Sequence, residues 1–488
     1  MKKLNKIGIG TEEAKKGFTS GQVSFQTPFD DLIPKLDDSQ AQFYLDAIRI
    51  YLGLCEGTVS METALRAVDQ LKLNSEYTAY PTNPTIIPIN QRYKTKMLEN
   101  LKTLHKFNLF TKSSIKSAYN FAFLVEEAPI NESDLSVLSV LSKNPTISLV
   151  EAADILSVTP RTIARALDRL RERNQLRVSA MADSSAFNLQ SVMLFFTLQE
   201  GLDWDPIERG FAQYPFTKSI LKTTMTDVGY VTFLIPNIDD NIQEFNKAIT
   251  QVSSTIFDYK SMHYQTSAGA TCNVHLFSNN VWKLPDHLED MLKEDKELDP
   301  EKAPPILNCS GVKPELKIDD YLVASQIQLD ARSSPSKISE HLAIKGYDYD
   351  AKTVSSIIRR IQTRNILLPY LVFAIPKLSS NFCFEITCNS TTKPRILETI
   401  RKFPWVIYYL SSRGIIVWTM CPGDHQVEYY QLFRALEKKP GVHLVNPIMT
   451  IAQRGSKSTL DLTRNFTYQK GKWLVPPEEL DIRPYFEL

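Results

Sequence analysis

The feature that most constrains this sequence is a segment that occurs twice. Residues 167–176 (LDRLRERNQL) align with residues 358–367 (IRRIQTRNIL), which lie 191 positions further along the chain. Both copies contain apolar residues at the spacing that places them on one face of a helix. The identical positions of the alignment are Arg169/Arg360, Arg173/Arg364, Asn174/Asn365 and Leu176/Leu367. The chain is therefore predicted to contain a tandem duplication of a helical unit.

A weaker third copy lies 66 positions upstream of the first, at residues 101–110. An asparagine follows the helix in each copy (Asn108, Asn174 and Asn365), and asparagine is suited to a left-handed turn at a helix end. The region around the third copy is thus predicted to be helical and to resemble a degenerate winged helix. Its basic residues are Arg92, Lys94, Lys96 and Lys102.

Downstream of the two stronger copies, the hydrophobic pattern predicts the same order of elements twice. The first set comprises strands at 192–200, 216–225, 230–235 and 255–265, with helices at 205–214 and 239–252. The second comprises strands at 381–388, 405–412, 414–421 and 442–453, with helices at 392–403 and 425–439. A βαββαβ order is that of the ferredoxin-like unit, in which two helices cover one face of an antiparallel sheet. The predicted fold class is α+β, with winged helix-turn-helix units alternating with ferredoxin-like domains.

These patterns predict eight segments along the chain. They are a flexible N-terminal tail (1–38), a helical region (39–125), a winged helix-turn-helix (131–189), a ferredoxin-like domain (190–268), a linker (269–318), a second winged-helix-like unit (319–370), a second ferredoxin-like domain (371–455) and a C-terminal tail (456–488).

The first winged helix has the sharper local signals. Ser133 is predicted to cap its first helix, and the segment from Ser148 to Glu151 fits a capping box that opens its second. Thr159 followed by Pro160 fits the start of a third helix, which is predicted to end near Arg173. Two short helices joined by a tight turn form the helix-turn-helix arrangement that enters the major groove of DNA.

The third helix is locally basic in a chain whose formal net charge is only +1. Between residues 159 and 177 there are six arginines and two acidic residues. Arg161, Thr162 and Arg165 are predicted to lie nearest the base edges, because the arginine fork can bind guanine through two hydrogen bonds. Arg169, Arg173 and Arg177 are predicted to meet phosphates. The alternative is a solvated helix face laced with ion pairs.

The second copy is less regular, because residues 344–350 replace the tight turn. Direct DNA contact and a degenerate copy kept for packing or dimerisation both remain open for it. The complete predicted DNA-binding set is Thr159, Arg161, Thr162, Arg165, Arg169, Arg173, Arg177, Lys352, Arg359 and Arg360.

Residues 148–176, followed by the unit at 190–265, resemble the Lrp/AsnC (leucine-responsive) transcription regulators in the order of their two domains. The resemblance covers residues 131–265 and, more loosely, 319–453. It implies dimers formed through the sheets and small-molecule effectors, often amino acids, bound between subunits. Family members usually carry one such pair of domains, whereas this chain carries two. The two sheets are therefore expected to pair within one chain as a pseudo-dimer, with a homodimer as the alternative.

The predicted function is a sequence-specific transcription regulator that binds double-stranded DNA, with a small molecule as its effector. One alternative is an enzyme similar to the siroheme decarboxylases, which share this architecture and whose strand the segment 193–198 resembles. A second alternative is a protein-interaction adaptor. Nucleophile-elbow, P-loop and Rossmann motifs are absent from the sequence, and the seven histidines lack metal-ligand spacing. The sequence therefore predicts no enzymatic activity, no cofactor and no metal.

Two further features suggest a compartment. The six cysteines form no C-x-x-C pair, and scattered thiols fit a reducing interior. The longest apolar runs, at 370–375 and 414–420, are far shorter than the roughly 20 residues that cross a bilayer. A cytoplasmic protein without membrane contact is expected.

Overall fold

The computed structural model describes residues 29–34, 36, 39–73, 91–111, 114–115, 118–119, 129–222, 228–238, 240–284, 305–309, 316–378, 380–449 and 462–486. They belong to two compact units, Met1–Leu124 and Val125–Leu488. Most of the predicted N-terminal tail, part of the predicted linker, and the end of the strand predicted at 216–225 lie outside the described residues.

The N-terminal unit is helical where it is described. Its helices are α1 (Ser39–Glu56), α2 (Met61–Leu73) and α3 (Gln91–Phe107). Asn108 follows α3 in the predicted left-handed conformation, with φ of 51°. The described part of this unit contains no strand, so the expected degenerate winged helix has no wing there. Neither these helices nor any other described helix is both long and apolar enough to cross a bilayer.

The predicted first helix-turn-helix is confirmed. It consists of α4 (Glu132–Lys143), α5 (Leu149–Leu156) and α6 (Pro160–Asn174), followed by strand β1 (Arg177–Ala182). The capping box between Ser148 and Glu151 is present at the start of α5, and Thr159 caps α6. Helix α4 begins two residues earlier than expected, because the side chain of Asn131 rather than Ser133 accepts the capping hydrogen bond.

The end of α6 differs from the prediction. Gln175, not Asn174, adopts the left-handed conformation, with φ of 53°. Asn174 is the last helical residue, and its backbone carbonyl accepts a 2.6 Å hydrogen bond from the Ala374 amide. The side-chain amide of Asn174 also donates to the Ala374 carbonyl at 3.4 Å, so in the first copy the repeated asparagine contacts a segment 200 positions away. In the second copy Asn365 has the predicted positive φ, of 50°.

The first α+β region follows β1. Its elements are β2 (Leu189–Leu198), α7 (Trp204–Gln213), β3 (Thr217–Lys222), β4 (Gly229–Pro236), α8 (Asn241–Ile256) and β5 (Phe257–Cys272). Their order in the sheet is β5-β2-β4-β3, with every neighbouring pair antiparallel. Alternate residues of β2, including Leu194 and Phe196, pack against Phe211 of α7 and Phe245 of α8. Both helices therefore cover the same face of the sheet.

The segment predicted as a linker (269–318) contains short strands where it is described. Short strands β6 (Phe277–Ser278) and β7 (Val281–Trp282) form a hairpin. Strand β8 (Leu307–Asn308) adds to β5.

A second winged helix then repeats the first. It consists of α9 (Ile318–Leu329), α10 (Pro335–Ile344), α11 (Ala351–Thr363) and strand β9 (Leu367–Val372). Strands β1 and β9 pair antiparallel, from Arg177 opposite Val372 to Ala182 opposite Leu367. The wings of the two units thus form one two-stranded sheet, which joins the units directly.

The second α+β region has the same order of elements as the first. They are β10 (Ser380–Cys388), α12 (Lys393–Arg401), β11 (Trp405–Ser411), β12 (Gly414–Cys421), α13 (Gln426–Leu436) and β13 (Val442–Met449). Their sheet order is β13-β10-β12-β11, which matches the first sheet position by position. The predicted α+β class with βαββαβ regions is confirmed.

Strand β5 belongs to both sheets. Its first half pairs with β2, and its second half, from Gln265 to Cys272, pairs with β11. The sequence pattern predicts an end at Gln265, but the strand continues for seven residues. Gly269 makes this pairing possible, because a Cβ there would collide with the ring of Tyr408.

The sheet faces without helices pack on each other. Met193, Phe195 and Tyr230 of the first sheet form one buried cluster with Cys383 and Ile416 of the second. A polar contact lies beside this cluster. Nε2 of His263 is 2.8 Å from Oε1 of Glu385, and both side chains are fully buried. The two sheets are joined by apolar packing and by this buried pair.

The predicted C-terminal tail is largely folded. Strands β14 (Thr467–Gln469) and β15 (Lys472–Leu474) form a hairpin. The indole of Trp473 donates a 3.0 Å hydrogen bond to the Phe187 carbonyl, and the Tyr214 hydroxyl donates to the Leu480 carbonyl at 2.9 Å. Residues 462–486 therefore complete the core of the first α+β region.

Candidate nucleic-acid interface

The first turn of α6 is fixed by its own side chains. Oγ1 of Thr159 accepts a 3.2 Å hydrogen bond from the amide of Thr162, and the two hydroxyls lie 2.9 Å apart. Pro160 occupies the first helical position, where its missing N–H costs nothing. Thr159, placed in the predicted DNA-binding set, thus has a structural role as the helix cap.

This cap places exposed side chains at the N-terminal end of α6. Arg161, Thr162 and Arg165 are all exposed, while Ile163 and Leu167 are buried beneath them. The positive end of the helix dipole reinforces the positive charge of the two arginines. The structure therefore brings three of the predicted contact residues to one accessible surface.

Two other predicted residues lie further along the unit. Arg173 is exposed in the last turn of α6, and Arg177 is half-buried at the start of β1. Both lie about three helical turns or more from the N-terminal end of α6. They are therefore predicted to contact phosphates and not base edges.

Arg169, which is predicted to contact a phosphate, forms an ion pair within the winged helix. Its guanidinium binds the buried carboxylate of Asp134 in α4, with distances of 2.5 Å from Nη2 and 3.3 Å from Nε. These hydrogen bonds raise the pKa of Arg169 above its ordinary value. Arg169 therefore holds α6 against α4, and its contact with a phosphate stays a prediction.

The second winged helix repeats this arrangement. Arg360 of α11 binds the buried carboxylate of Asp320 in α9, with distances of 2.7 Å from Nε and 2.5 Å from Nη2. Arg360 therefore holds α11 against α9, and its DNA contact stays a prediction. Lys352 and Arg359 are exposed on α11, although Arg359 also lies 3.5 Å from the Ser355 hydroxyl.

Sequence reasoning missed one arginine that joins the two winged helices. Arg332, at the turn before α10, donates to the carbonyls of Pro145 and Ile147 at 3.0 and 2.9 Å. Its burial lowers its pKa. No sequence signal marks this residue, because its partners are backbone atoms 185 and 187 positions away.

A scan against family models matches residues 130–177 to the winged helix-turn-helix DNA-binding family. The structure and this match agree on the same segment. No curated protein matches the sequence.

Among solved structures, the siroheme decarboxylase NirDL is 10% identical and has a TM-score of 0.38, over 73% of this chain and 98% of that one. A transcriptional regulator from Neisseria meningitidis, in complex with L-Met, is 15% identical. It covers 28% of this chain and 89% of its own length, with a TM-score of 0.23. The protein PH0061 is 19% identical over 28% of this chain and 93% of its own, with a TM-score of 0.21.

The prediction that the chain is not an enzyme is contradicted by the match to the siroheme decarboxylase, which extends over 73% of the chain. The prediction relied on the absence of familiar catalytic motifs, and such motifs are specific to particular folds. Within the described residues, no group of three or more His, Cys, Asp or Glu side chains is placed to hold a metal ion.

Proposed function

We propose that the chain is a sequence-specific DNA-binding transcription regulator of the Lrp/AsnC type. The observation that carries the proposal is the exposed N-terminal end of α6, with Arg161, Thr162 and Arg165, in a segment that matches winged helix-turn-helix DNA-binding domains. In such domains the N-terminal residues of the second helix of the motif reach base edges in the major groove.

The positions of the arginines suggest two kinds of contact. Arg161 and Arg165 can each bind a guanine through two hydrogen bonds, which gives sequence specificity. Arg173 and Arg177, at the other end of α6 and in the wing, are proposed to contact phosphates, which give affinity without specificity. Val158, which is 41% exposed in the turn before α6, adds an apolar group that can contact a thymine methyl.

The second winged helix is proposed to contribute charge. Lys352 and Arg359 remain exposed after Arg360 is taken by Asp320. The β1–β9 pairing and the Arg332 contacts hold both helix-turn-helix units on one body. A single chain would then present two DNA-facing helices, as a dimeric regulator does with two chains.

The proposal is tested by selecting bound sequences from random DNA duplexes and measuring affinities by gel shift. We expect Arg161→Ala and Arg165→Ala each to weaken binding to the selected sequence by about 1–3 kcal/mol and to relax specificity. Arg173→Ala is expected to weaken binding to all duplexes alike and to reduce the salt slope by about one.

Arg434→Ala is the matched control, because it removes an exposed arginine from α13, far along the chain from α6. It should bind like the wild type. If the wild type binds no duplex even at low salt, the chain acts instead as an adaptor whose winged helices serve packing. If all three α6 variants bind normally, α6 is not the DNA-reading element.

A further inference from the structure

A cavity of about 310 Å³ lies between the two sheets. Strands β2, β3, β4 and β5 line it on one side, and β10, β11 and β12 line it on the other. Its volume is at the lower end of the roughly 300–1,000 Å³ typical of small-molecule sites. Any occupant must therefore be compact.

Among the described residues, one charged side chain lines this cavity. Lys218 is the extra residue of a bulge in β3, where the register with β4 shifts between Thr217 and Ser219. A bulge redirects a side chain, and bulges are common next to functional sites. No carboxylate of the described residues lines the cavity, so no lining group neutralises the charge of Lys218.

The ammonium group of Lys218 has no ion pair or hydrogen bond among the described residues. Burial lowers its pKa. Lys218 is half-buried, and an electrostatic interaction with Cys309 opposes this shift. An ammonium that has lost part of its hydration and has no ion pair is costly. An anion bound beside it would offset that cost.

Both walls of the cavity carry an aromatic ring with a hydrogen-bond donor, one from each sheet. The rings of Tyr230 and Trp418 meet edge to face with centroids 5.4 Å apart, and both line the cavity. Neither the Tyr230 hydroxyl nor the Trp418 indole N–H makes a hydrogen bond within the described part of the chain. An oxygen-bearing anion can use these donors, and the rings provide an apolar surface for its body.

We propose that this cavity binds a compact organic carboxylate with a flat apolar body, whose carboxylate lies against Lys218. A single lysine without an arginine fork suits one negative charge better than a phosphate dianion, which is usually held by several cationic or N–H donors. The inference goes beyond the proposed function, because it requires no DNA binding.

The test uses benzoate, phenylacetate and indole-3-acetate as probes, each beside its neutral amide. Binding to the full chain is followed by calorimetry and by tryptophan fluorescence, since Trp405 and Trp418 both line the cavity. We expect at least one carboxylate to bind about tenfold or more tightly than its amide, and Lys218→Met to remove this preference.

Lys260→Met is the matched control. Burial also lowers the pKa of Lys260, but its ammonium has a protein partner, the Ser253 hydroxyl at 2.7 Å. It should bind the probes like the wild type. The proposal is overturned if no carboxylate is preferred over its amide, or if Lys218→Met binds the probes unchanged.

Thermal unfolding of the ligand-free protein tests the site independently of the probes. If Lys218 has no ion pair in the ligand-free protein, Lys218→Met should raise Tm, because it removes a half-buried charge and keeps the length of the side chain. A fall in Tm would mean that Lys218 has a structural partner in the protein, and the proposed site would be wrong.

Discussion

Arg169 and Arg360 show that the sequence does not distinguish an arginine that binds a carboxylate within the protein from one that contacts DNA. They are identical positions of the repeat, and they lie on helices with exposed basic residues. Their partners, Asp134 and Asp320, lie 35 and 40 residues upstream, in the first helix of each unit. The planar guanidinium fork suits a carboxylate as well as a guanine edge, so composition alone could not distinguish the two roles.

The buried pair between His263 and Glu385 makes a prediction about pH. Burial alone would raise the pKa of Glu385, but hydrogen bonds from His263, Ser261 and Tyr259 outweigh it and hold the pKa below the ordinary 4.5. A carboxyl whose pKa is lower in the folded protein stabilises the fold above its ordinary pKa. That contribution is lost as the pH falls through the lower, folded value.

We expect Glu385→Gln to lower the free energy of unfolding by about 1–3 kcal/mol near neutral pH, because His263 loses a charged partner. The difference from the wild type should shrink as the pH falls below 4.5. Urea unfolding at several pH values measures both. Glu428→Gln is the control, since it removes a similar pair with His425 at the surface, where the side chains are 43% and 30% exposed. A difference that grows in acid would contradict this account.

At the scale of elements, the sequence predicts two roles for Thr159, as the cap of α6 and as a DNA contact. Substitutions at Thr159 and Thr162 distinguish the two roles. Thr159→Ala should cost about 0.5–2 kcal/mol in stability, because the Thr162 amide loses its acceptor. Thr159→Ser should restore most of this stability. Thr162→Ala keeps the cap, which uses only the backbone of Thr162, and removes a hydroxyl from the exposed end of the helix.

Thermal unfolding and gel shift measure these variants side by side. Thr159→Ala is expected to lower Tm, and Thr162→Ala to affect DNA affinity more than Tm. Equal Tm values for Thr159→Ala and the wild type would show that the cap contributes nothing to α6.

The elements that are predicted accurately depend on local chemistry. The capping box at Ser148 and the cap at Thr159 are set by residues within three positions of each other, so the sequence contains the whole signal. The length of β5 depends instead on β11, which pairs with it from more than 130 residues away. The folding of residues 462–486 depends similarly on Phe187 and Tyr214, which no periodicity connects with that segment.

At the candidate site, the prediction of exposed side chains is also accurate only where it depends on nearby residues. Helix position and charge identify the exposed end of α6 correctly, because burial there follows the 3.6-residue period around Ile163 and Leu167. The same period cannot show that Arg332 of the second winged helix binds carbonyls of the first, or that Lys218 lines a cavity. Both depend on how distant strands and turns meet.

For the whole molecule, we predict a monomer in solution. The sheet faces that the helices leave uncovered already pack on each other within one chain, in the cluster around Phe195 and Ile416. A tethered partner has a high effective concentration, which favours pairing within the chain over pairing between chains.

Light scattering should give a mass near 55.6 kDa, and the unfolding midpoint should not change with protein concentration. A stable dimer, or a midpoint that rises on concentration, would mean that other surfaces of the chain pair between molecules.

Because β5 is hydrogen-bonded along its length to β2 and then to β11, one continuous backbone runs from the first sheet into the second. The sheets can twist about this strand, but they cannot slide along it without breaking a ladder of hydrogen bonds at one end. Opening the cavity around Lys218 therefore requires the two sheets to rotate about β5, because they cannot separate as independent bodies. The far edges of the sheets would then move most, and the residues next to β5 least.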